Sequence, residues 1–178
     1  MANAWGHFCT ITKHRHKVIS HCAKAGIFWQ GLRHDLSKYS PTEFLAGARL
    51  YTDGKRSPNE REREQYGYSL AWMHHKGRNK HHFEYWTDYD PVTKRMRPVP
   101  MPDRYVIEMV CDRIAASKIY MKENYDDTKP LAYFMRGKPT RNIHPDTSEK
   151  LEYILRLLAE EGEDAVFRYL KNMRRKKK

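Results

Sequence analysis

Histidine and carboxylate side chains occur together in several parts of this 178-residue sequence, in patterns that suit metal chemistry. His34 and Asp35 are adjacent in the segment GLRHDLSKYSPTEF, residues 31–44. Two histidine pairs, at positions 74–75 and 81–82, lie in the segment AWMHHKGRNKHHFEYW. Imidazole nitrogens and carboxylate oxygens are the ligands of catalytic transition-metal sites. The sequence therefore raises the question of whether these groups hold a metal ion.

Nitrogen and oxygen ligands without thiolates favour one or two divalent ions of Mn, Fe, Co, Ni or Zn, with Mg as a further option. They disfavour a closed structural zinc site, because Cys9, Cys22 and Cys111 form no CxxC pattern. A transition-metal ion polarises a phosphoryl oxygen and lowers the pKa of bound water from about 16 towards 7. A hydrolase of this kind needs no serine or cysteine nucleophile.

His14 lies on a predicted helix over residues 6–29. On a helical wheel it falls within the apolar stripe that contains Ile11, Val18 and Cys22, whereas His16 points to the opposite face. The pattern places His14 inside the protein. A core histidine that hydrogen-bonds to a neighbour is the structural alternative to a metal ligand.

Asp112 lies on a predicted helix over residues 103–124 that is apolar around most of its circumference. An unpaired carboxylate there would cost several kcal/mol or become protonated, so Asp112 needs a partner. The partner could equally be an arginine or lysine side chain or a metal ion. Glu108, one turn earlier on the same face, favours the metal ion.

The two histidine pairs fall near the end of a third predicted helix, which starts at about residue 60. If the helix continues through Gly77, then His75, Asn79 and His82 share one face, and His74 and His81 share the neighbouring face. If Gly77 ends the helix, either member of each pair faces inward. A basic, aromatic surface patch that binds phosphate is the alternative interpretation.

A further helix is predicted over residues 41–50, because Ser40, Pro41 and Glu43 occupy the N-cap, N1 and N3 positions of a capping box. The C-terminal part, from residue 145 onwards, predicts one or two amphipathic helices. Residues 87–102 are rich in proline, and strand signals are weak throughout the chain. We predict an all-α helical bundle with a single domain over residues 1–170.

The net charge of +12 favours anionic partners, but six of these charges lie in residues 171–178, predicted to be a basic C-terminal tail. Such a tail indicates solubility or a weak nucleic-acid contact. The sequence shows neither a membrane-spanning apolar run nor a signal peptide, and its three scattered cysteines favour a reducing compartment. We predict a soluble, cytoplasmic protein without a membrane partner.

The order His14, His34-Asp35, the two histidine pairs and Asp112 resembles the HD-domain superfamily of metal-dependent phosphohydrolases. HDLSK, which ends at Lys38, is similar to the HDxxK variant of that superfamily. The segments HDLSKYSPTEF and HHKGRNKHHFEYW more closely resemble an uncharacterised family of small bacterial and phage HD-like proteins. The resemblance implies an HD-domain-like helical bundle.

The resemblance also implies roles for individual residues. It assigns His14, His34, Asp35 and Asp112 to a first metal ion, with Asp35 able to bridge to a second ion. The second ion, or a phosphate, would be held by His75 and His82, with His74 and His81 as the less favoured members of the pairs. The resemblance gives Lys38 a phosphate-binding role and Glu43 a catalytic one, although Glu43 also fits the capping box. Arg78, by its charge, and Asn79, by its place on the face of His75 and His82, are further catalytic or phosphate-binding candidates.

The function expected from these features is metal-dependent hydrolysis of a phosphate ester of a nucleotide or a related small molecule, by a metal-activated water. One alternative is a nucleic-acid-associated binding protein that uses HHKGRNKHH and the basic tail as phosphate contacts. Another is a degenerate HD scaffold that binds a nucleotide without cleaving it.

Overall fold

The computed structural model describes residues 3–54 and 56–175 and is predominantly helical, as predicted. In chain order the α-helices are α1 (Ala4–Lys24), α2 (Phe28–Gly31), α3 (Pro41–Leu50), α4 (Pro58–Tyr66), α5 (Leu70–Arg78), α6 (Asp103–Met121), α7 (Lys129–Gly137) and α8 (Pro145–Arg175). Short 3-10 helices occur at Leu36–Tyr39, Phe83–Tyr85, Lys122–Asn124 and Lys138–Thr140. A two-stranded sheet is formed by β1 (Thr87–Asp90) and β2 (Arg95–Pro98).

The sheet corrects the prediction of an all-α fold. Strands β1 and β2 are antiparallel, with Thr87 opposite Pro98 and Asp90 opposite Arg95. The Asp90 carboxylate accepts the amide hydrogens of Val92 and Thr93 and so closes the turn. Both strands are four residues long and largely exposed, so they lack the alternating apolar pattern by which a strand is recognised in sequence.

Two of the predicted helices differ from the observed ones at a glycine. Helix α1 ends at Lys24 rather than near residue 29, because Gly26 adopts a left-handed conformation with φ +80° and the chain turns into α2. The predicted third helix is divided into α4 and α5 by Gly67, whose φ is +79°. Helix α7 was not predicted.

The hydrophobic core lies mainly between α1, α6 and α8 and extends from Val18 to Leu170. Helix α6 is its central element, and every residue from Val106 to Cys111 is buried. The apolar circumference inferred for this helix is therefore confirmed. Because α6 is enclosed on several sides, polar side chains on it must meet partners from neighbouring elements.

Helix α8 continues to Arg175, with a kink at Gly162, so residues 171–175 of the predicted basic tail are helical. Residues 176–178 of the predicted tail lie outside the described residues. Across residues 3–54 and 56–175, no helix has both the length and the apolar character that crossing a membrane requires.

Candidate metal centre

Four segments that are distant in sequence meet at one buried place in the fold. His14 comes from α1, and His34 and Asp35 come from the turn after α2. His75 lies on α5, and the second histidine pair follows that helix before the 3-10 helix at Phe83–Tyr85. Asp112 lies on the central helix α6. The structure therefore brings together the groups that the sequence analysis singled out.

One cluster, which we call the first group, consists of His14, His34, Asp35 and Asp112. The Nε2 atom of His14 lies 2.9 Å from Oδ1 of Asp112 and 3.9 Å from Oδ2 of Asp35. The Nε2 atom of His34 lies 3.2 Å from the same Asp35 oxygen and 3.6 Å from Oδ1 of Asp112. Each residue thus presents one ligand atom to a shared space.

A second cluster, the second group, consists of Asp35, His75, His81 and His82. The Nε2 atoms of His75 and His81 lie 3.4 Å and 3.5 Å from Oδ1 of Asp35. The Nε2 atom of His82 lies 2.9 Å from that of His75. Both members of the second histidine pair therefore reach the site, including His81, which the sequence analysis ranked below His82.

Asp35 belongs to both groups, and each of its two carboxylate oxygens faces one of them. Its Oδ2 faces His14 and His34, whereas its Oδ1 faces His75 and His81. The residue has a left-handed backbone with φ 52° and ψ 25°, which aspartate tolerates better than most side chains. This backbone conformation lets two successive residues, His34 and Asp35, point into the same pocket.

Several buried polar atoms of the centre make no well-formed hydrogen bond among the described residues, although some lie close to a charged group, as Oδ2 of Asp35 does to the Lys38 ammonium. They include Nε2 of His14, His34 and His81 and both carboxylate oxygens of Asp35. Buried polar groups are normally satisfied, and each unsatisfied group costs about 1–3 kcal/mol. These atoms all point towards one another with lone pairs suited to a cation, so the two groups could hold a metal ion.

Glu108 supports one histidine from each group. Its Oε1 accepts a hydrogen bond from Nδ1 of His34 at 2.9 Å and lies 3.3 Å from Nδ1 of His81. Its other oxygen accepts a hydrogen bond from the Gln30 side chain at 2.5 Å. A carboxylate on the far nitrogen fixes the imidazole tautomer and orientation, so that Nε2 is left free to bind a metal.

Glu43 likewise binds Nδ1 of a histidine of the second group. Its two oxygens accept hydrogen bonds from Nδ1 of His74 at 2.6 Å and from Nδ1 of His75 at 2.8 Å. The predicted side-chain hydrogen bonds of the capping box are therefore wrong, although Ser40 and Pro41 do mark the start of α3. The hydroxyl of Ser40 has no partner in the described ranges, and the Glu43 carboxylate turns into the centre instead of towards the Ser40 amide.

The carboxylates of the centre attract positive charge. Burial alone would raise the pKa of the Asp35 carboxyl, but His34 and Lys38 hold it well below its usual range. Burial opposes protonation of His34, yet the adjacent carboxylates, Asp35 first, raise its pKa well above the ordinary value. In contrast, burial and the charge of Lys38 lower the pKa of His14. The centre therefore already attracts positive charge, and a proton on His34 supplies it.

The remaining predicted residues lie at different distances from the centre. The Lys38 ammonium lies 2.6 Å from Oδ2 of Asp35 and lines the adjoining cavity. Asn79 is buried and donates hydrogen bonds to the Ser37 hydroxyl and the His75 carbonyl, so it positions the centre instead of facing it. His74 contacts Glu43 but joins neither group. Arg78 is exposed and lines neither cavity.

Sequence reasoning noted Glu108 only as a neighbour of Asp112 and missed its contacts with His34 and His81. The spacing of four residues between Glu108 and Asp112 was a usable signal, since it places both carboxylates on one helix face. No comparable signal marked Gln30, or Arg15, which donates hydrogen bonds to the carbonyl oxygens of Leu32 and His34. Those contacts hold the turn that carries His34.

A cavity of about 210 Å³ adjoins the centre. Asp35, Lys38, His75 and Asp112 all line it, together with His82. A ligand in this cavity can therefore reach residues of both groups and the Lys38 ammonium at once.

These features define a predominantly helical protein with a buried centre of histidines and carboxylates that could hold a metal ion. The chain belongs to DUF5662, a family of unknown function, whose family model matches residues 3–157. The match includes every residue of both groups. No curated protein and no solved structure matches the chain.

Proposed function

We propose that the protein is a metal-dependent phosphohydrolase that acts on a phosphate ester of a nucleotide or a related small molecule. The observation that carries the proposal is the position of Asp35, whose two oxygens face two separate sets of histidines. A carboxylate with both oxygens in use at the boundary of two such sets is the arrangement of a two-metal hydrolase. The order of these residues along the chain also resembles the HD-domain superfamily.

The donor atoms fit two divalent transition-metal ions. His14, His34 and Asp112 would hold the first with Oδ2 of Asp35, and the three histidines of the second group would hold the other with Oδ1. The buried Nε2 atoms and Asp35 oxygens that make no well-formed hydrogen bond are the atoms that a cation would satisfy. Such ions, when bound, lower the pKa of a coordinated water and polarise a phosphoryl oxygen.

The protein's own side chains supply binding and orientation. Lys38 lines the cavity beside Asp35 and would offset the negative charge of a phosphate group. Glu43 and Glu108 hold the imidazole rings of His75, His34 and His81 through Nδ1 and keep Nε2 available. The imidazole rings are thus preorganised by two carboxylates that bind their Nδ1 atoms.

The proposal is tested with Asp35→Asn and a matched control, Asp53→Asn. Asparagine tolerates the left-handed backbone of Asp35, so the change removes charge with little strain. Asp53 has a similar backbone, with φ 51°, but it is exposed and lines neither cavity. Metal content is measured after reconstitution with Mn, Fe, Co, Ni or Zn, and phosphate release is measured on a panel of nucleotides and phosphodiesters.

We expect metal to bind to the unchanged protein and to Asp53→Asn, with phosphate release from at least one compound of the panel. Asp35→Asn should lose most of the bound metal and the activity while it stays folded by circular dichroism. Equal metal content and equal activity in Asp35→Asn would refute the proposal. Metal binding without phosphate release from any compound would instead favour a scaffold that binds a nucleotide without cleaving it.

A further inference from the structure

A second and larger cavity lies beside the metal centre. Its volume is about 550 Å³, within the range of about 300–1,000 Å³ that small-molecule sites occupy. Trp72, His82 and Asp112 line both cavities, so the two are neighbours that share a wall at the centre. A single molecule can therefore extend from the metal centre into the larger cavity.

The larger cavity is rich in positive charge. Five basic side chains line it, compared with the three carboxylates of Glu60, Glu84 and Asp112. The basic residues are Arg56, Arg113, Lys129, Arg136 and Arg141. Asp112 is already committed to the first group, so the walls beyond the centre favour an anion.

Three of these guanidinium groups have no carboxylate partner. Lys129 pairs with Asp126, and Arg56 pairs with Glu64, but no described residue forms an ion pair with Arg113, Arg136 or Arg141. Their grouping needs an explanation, because neighbouring like charges repel one another.

Two neighbouring aromatic rings of α7 hold the three guanidiniums together. Arg136 and Arg141 lie 5.5 Å and 5.1 Å from the centre of the Tyr133 ring. Arg141 and Arg113 lie 5.6 Å and 5.9 Å from the centre of the Phe134 ring. Cation–π contacts position the groups without neutralising them, so their charge stays available to a ligand.

Of the three arginines, Arg113 gives the strongest evidence for a bound anion. Its Nε atom is buried and has no hydrogen-bond acceptor in the described part of the chain. A guanidinium whose Nε lacks an acceptor is not fully satisfied by the protein, and its positive charge favours a phosphate in the cavity that it lines. Asp112, the residue before it on α6, lines both cavities, so Arg113 lies close to the metal centre.

We propose that the larger cavity binds a second phosphate-bearing part of the substrate, so that the molecule hydrolysed at the metal centre carries at least two phosphate groups. Arg113, Arg136 and Arg141 would bind the phosphate that is not cleaved. The identification of this ligand as a substrate rests on the proposed function, whereas anion binding by the cavity does not.

The experiment measures binding of inorganic pyrophosphate by calorimetry to protein kept metal-free with EDTA, so that the metal centre contributes no bound ion. Arg113→Gln tests the buried donor, and Arg136→Gln tests an exposed position where folding is not at risk. Arg168→Gln is the matched control, because Arg168 is an exposed arginine on α8 that lines neither cavity.

We expect pyrophosphate to bind the unchanged protein, and each cavity variant to bind it about tenfold or more weakly, because a hydrogen bond to a charged group is lost. Arg168→Gln should stay within about twofold. On the metal-loaded enzyme, the preference in kcat/KM for a nucleoside diphosphate over the monophosphate should fall about tenfold in Arg113→Gln.

The proposal is overturned if pyrophosphate does not bind, or if neither cavity variant weakens its binding. It is also overturned if a single-stranded oligonucleotide binds more tightly than pyrophosphate with the same dependence on Arg113, since the cavity would then serve nucleic acid. A different result is expected if only the proposed hydrolase function is wrong. Pyrophosphate would then still bind through Arg113 in EDTA, but the metal-loaded protein would release no phosphate.

Discussion

Replacing Glu108 with glutamine should weaken metal binding at both groups at once. The substitution keeps the size of the side chain and removes its charge. Oε1 of Glu108 accepts a hydrogen bond from His34, in the first group, at 2.9 Å and lies 3.3 Å from Nδ1 of His81, in the second group. A neutral amide makes both imidazoles poorer metal ligands and orients them less firmly.

The size of the effect follows from the role of such outer carboxylates. Losing one usually lowers metal affinity about 10- to 100-fold, which corresponds to about 1.4–2.7 kcal/mol. Because one oxygen of Glu108 supports two ligands, we expect a loss in this range for each ion. Titration of metal-free protein by calorimetry, or competition with a chelator of known affinity, measures both binding steps.

Glu43→Gln provides the matched comparison. Glu43 supports His75, which belongs only to the second group, and His74, which belongs to neither. This variant should therefore weaken one ion and leave the other within about twofold. If Glu108→Gln binds both ions as tightly as the unchanged protein, or loses only one of them, the assignment of Glu108 as a shared support is wrong.

Three further predictions concern protons and packing. Metal binding should release a proton from His34 and strengthen as the pH rises, because the pKa of His34 is raised in the metal-free centre; calorimetry in buffers of different ionisation enthalpy measures the release. Burial lowers the pKa of His21 to about 4, so the unfolded chain takes up a proton more readily than the folded one, and stability falls between about pH 6.5 and 4. In chelator-treated protein, His21→Gln should reduce the loss of unfolding free energy between about pH 7 and 4.5 by roughly 2–3 kcal/mol in urea titrations, and an unchanged loss would contradict this. Gly47→Ala should lower the free energy of unfolding in urea titrations by about 1–3 kcal/mol, because a Cβ atom would lie 2.2 Å from Nε2 of His7. In the control Gly77→Ala the added atom meets open space, so the change should be neutral or stabilising by up to about 1 kcal/mol in the same titration.

The inward position of His14 could be predicted because helical periodicity is a local property. An apolar stripe every three to four residues fixes which face of a helix is buried, whatever the helix packs against. The same reasoning placed Asp112 on a helix that the structure shows to be central. An ionisable group on a buried face requires a partner, so the sequence could also indicate that Asp112 meets opposite charge or a cation.

The choice between members of the histidine pairs could not be predicted, since it depends on where a helix ends. Helix α5 stops at Arg78, and Asn79 leaves the helical conformation with φ −114°. After that point the helical phase no longer applies, and both His81 and His82 reach the second group. The exposed hairpin at residues 87–98 was missed for a related reason, because it buries no apolar face that would leave a pattern.

The sequence by itself determined the residue types of the centre, the predominantly helical fold and the inward faces of α1 and α6, since composition and periodicity act over short stretches of chain. Only the tertiary structure decided that Asp35 faces two groups, that Glu43 leaves the helix cap for His75, and that Glu108 supports His34 and His81. Apart from the adjacent His34 and Asp35, these contacts join residues separated by more than twenty positions. Such contacts are set by the packing of whole helices, which no local pattern encodes.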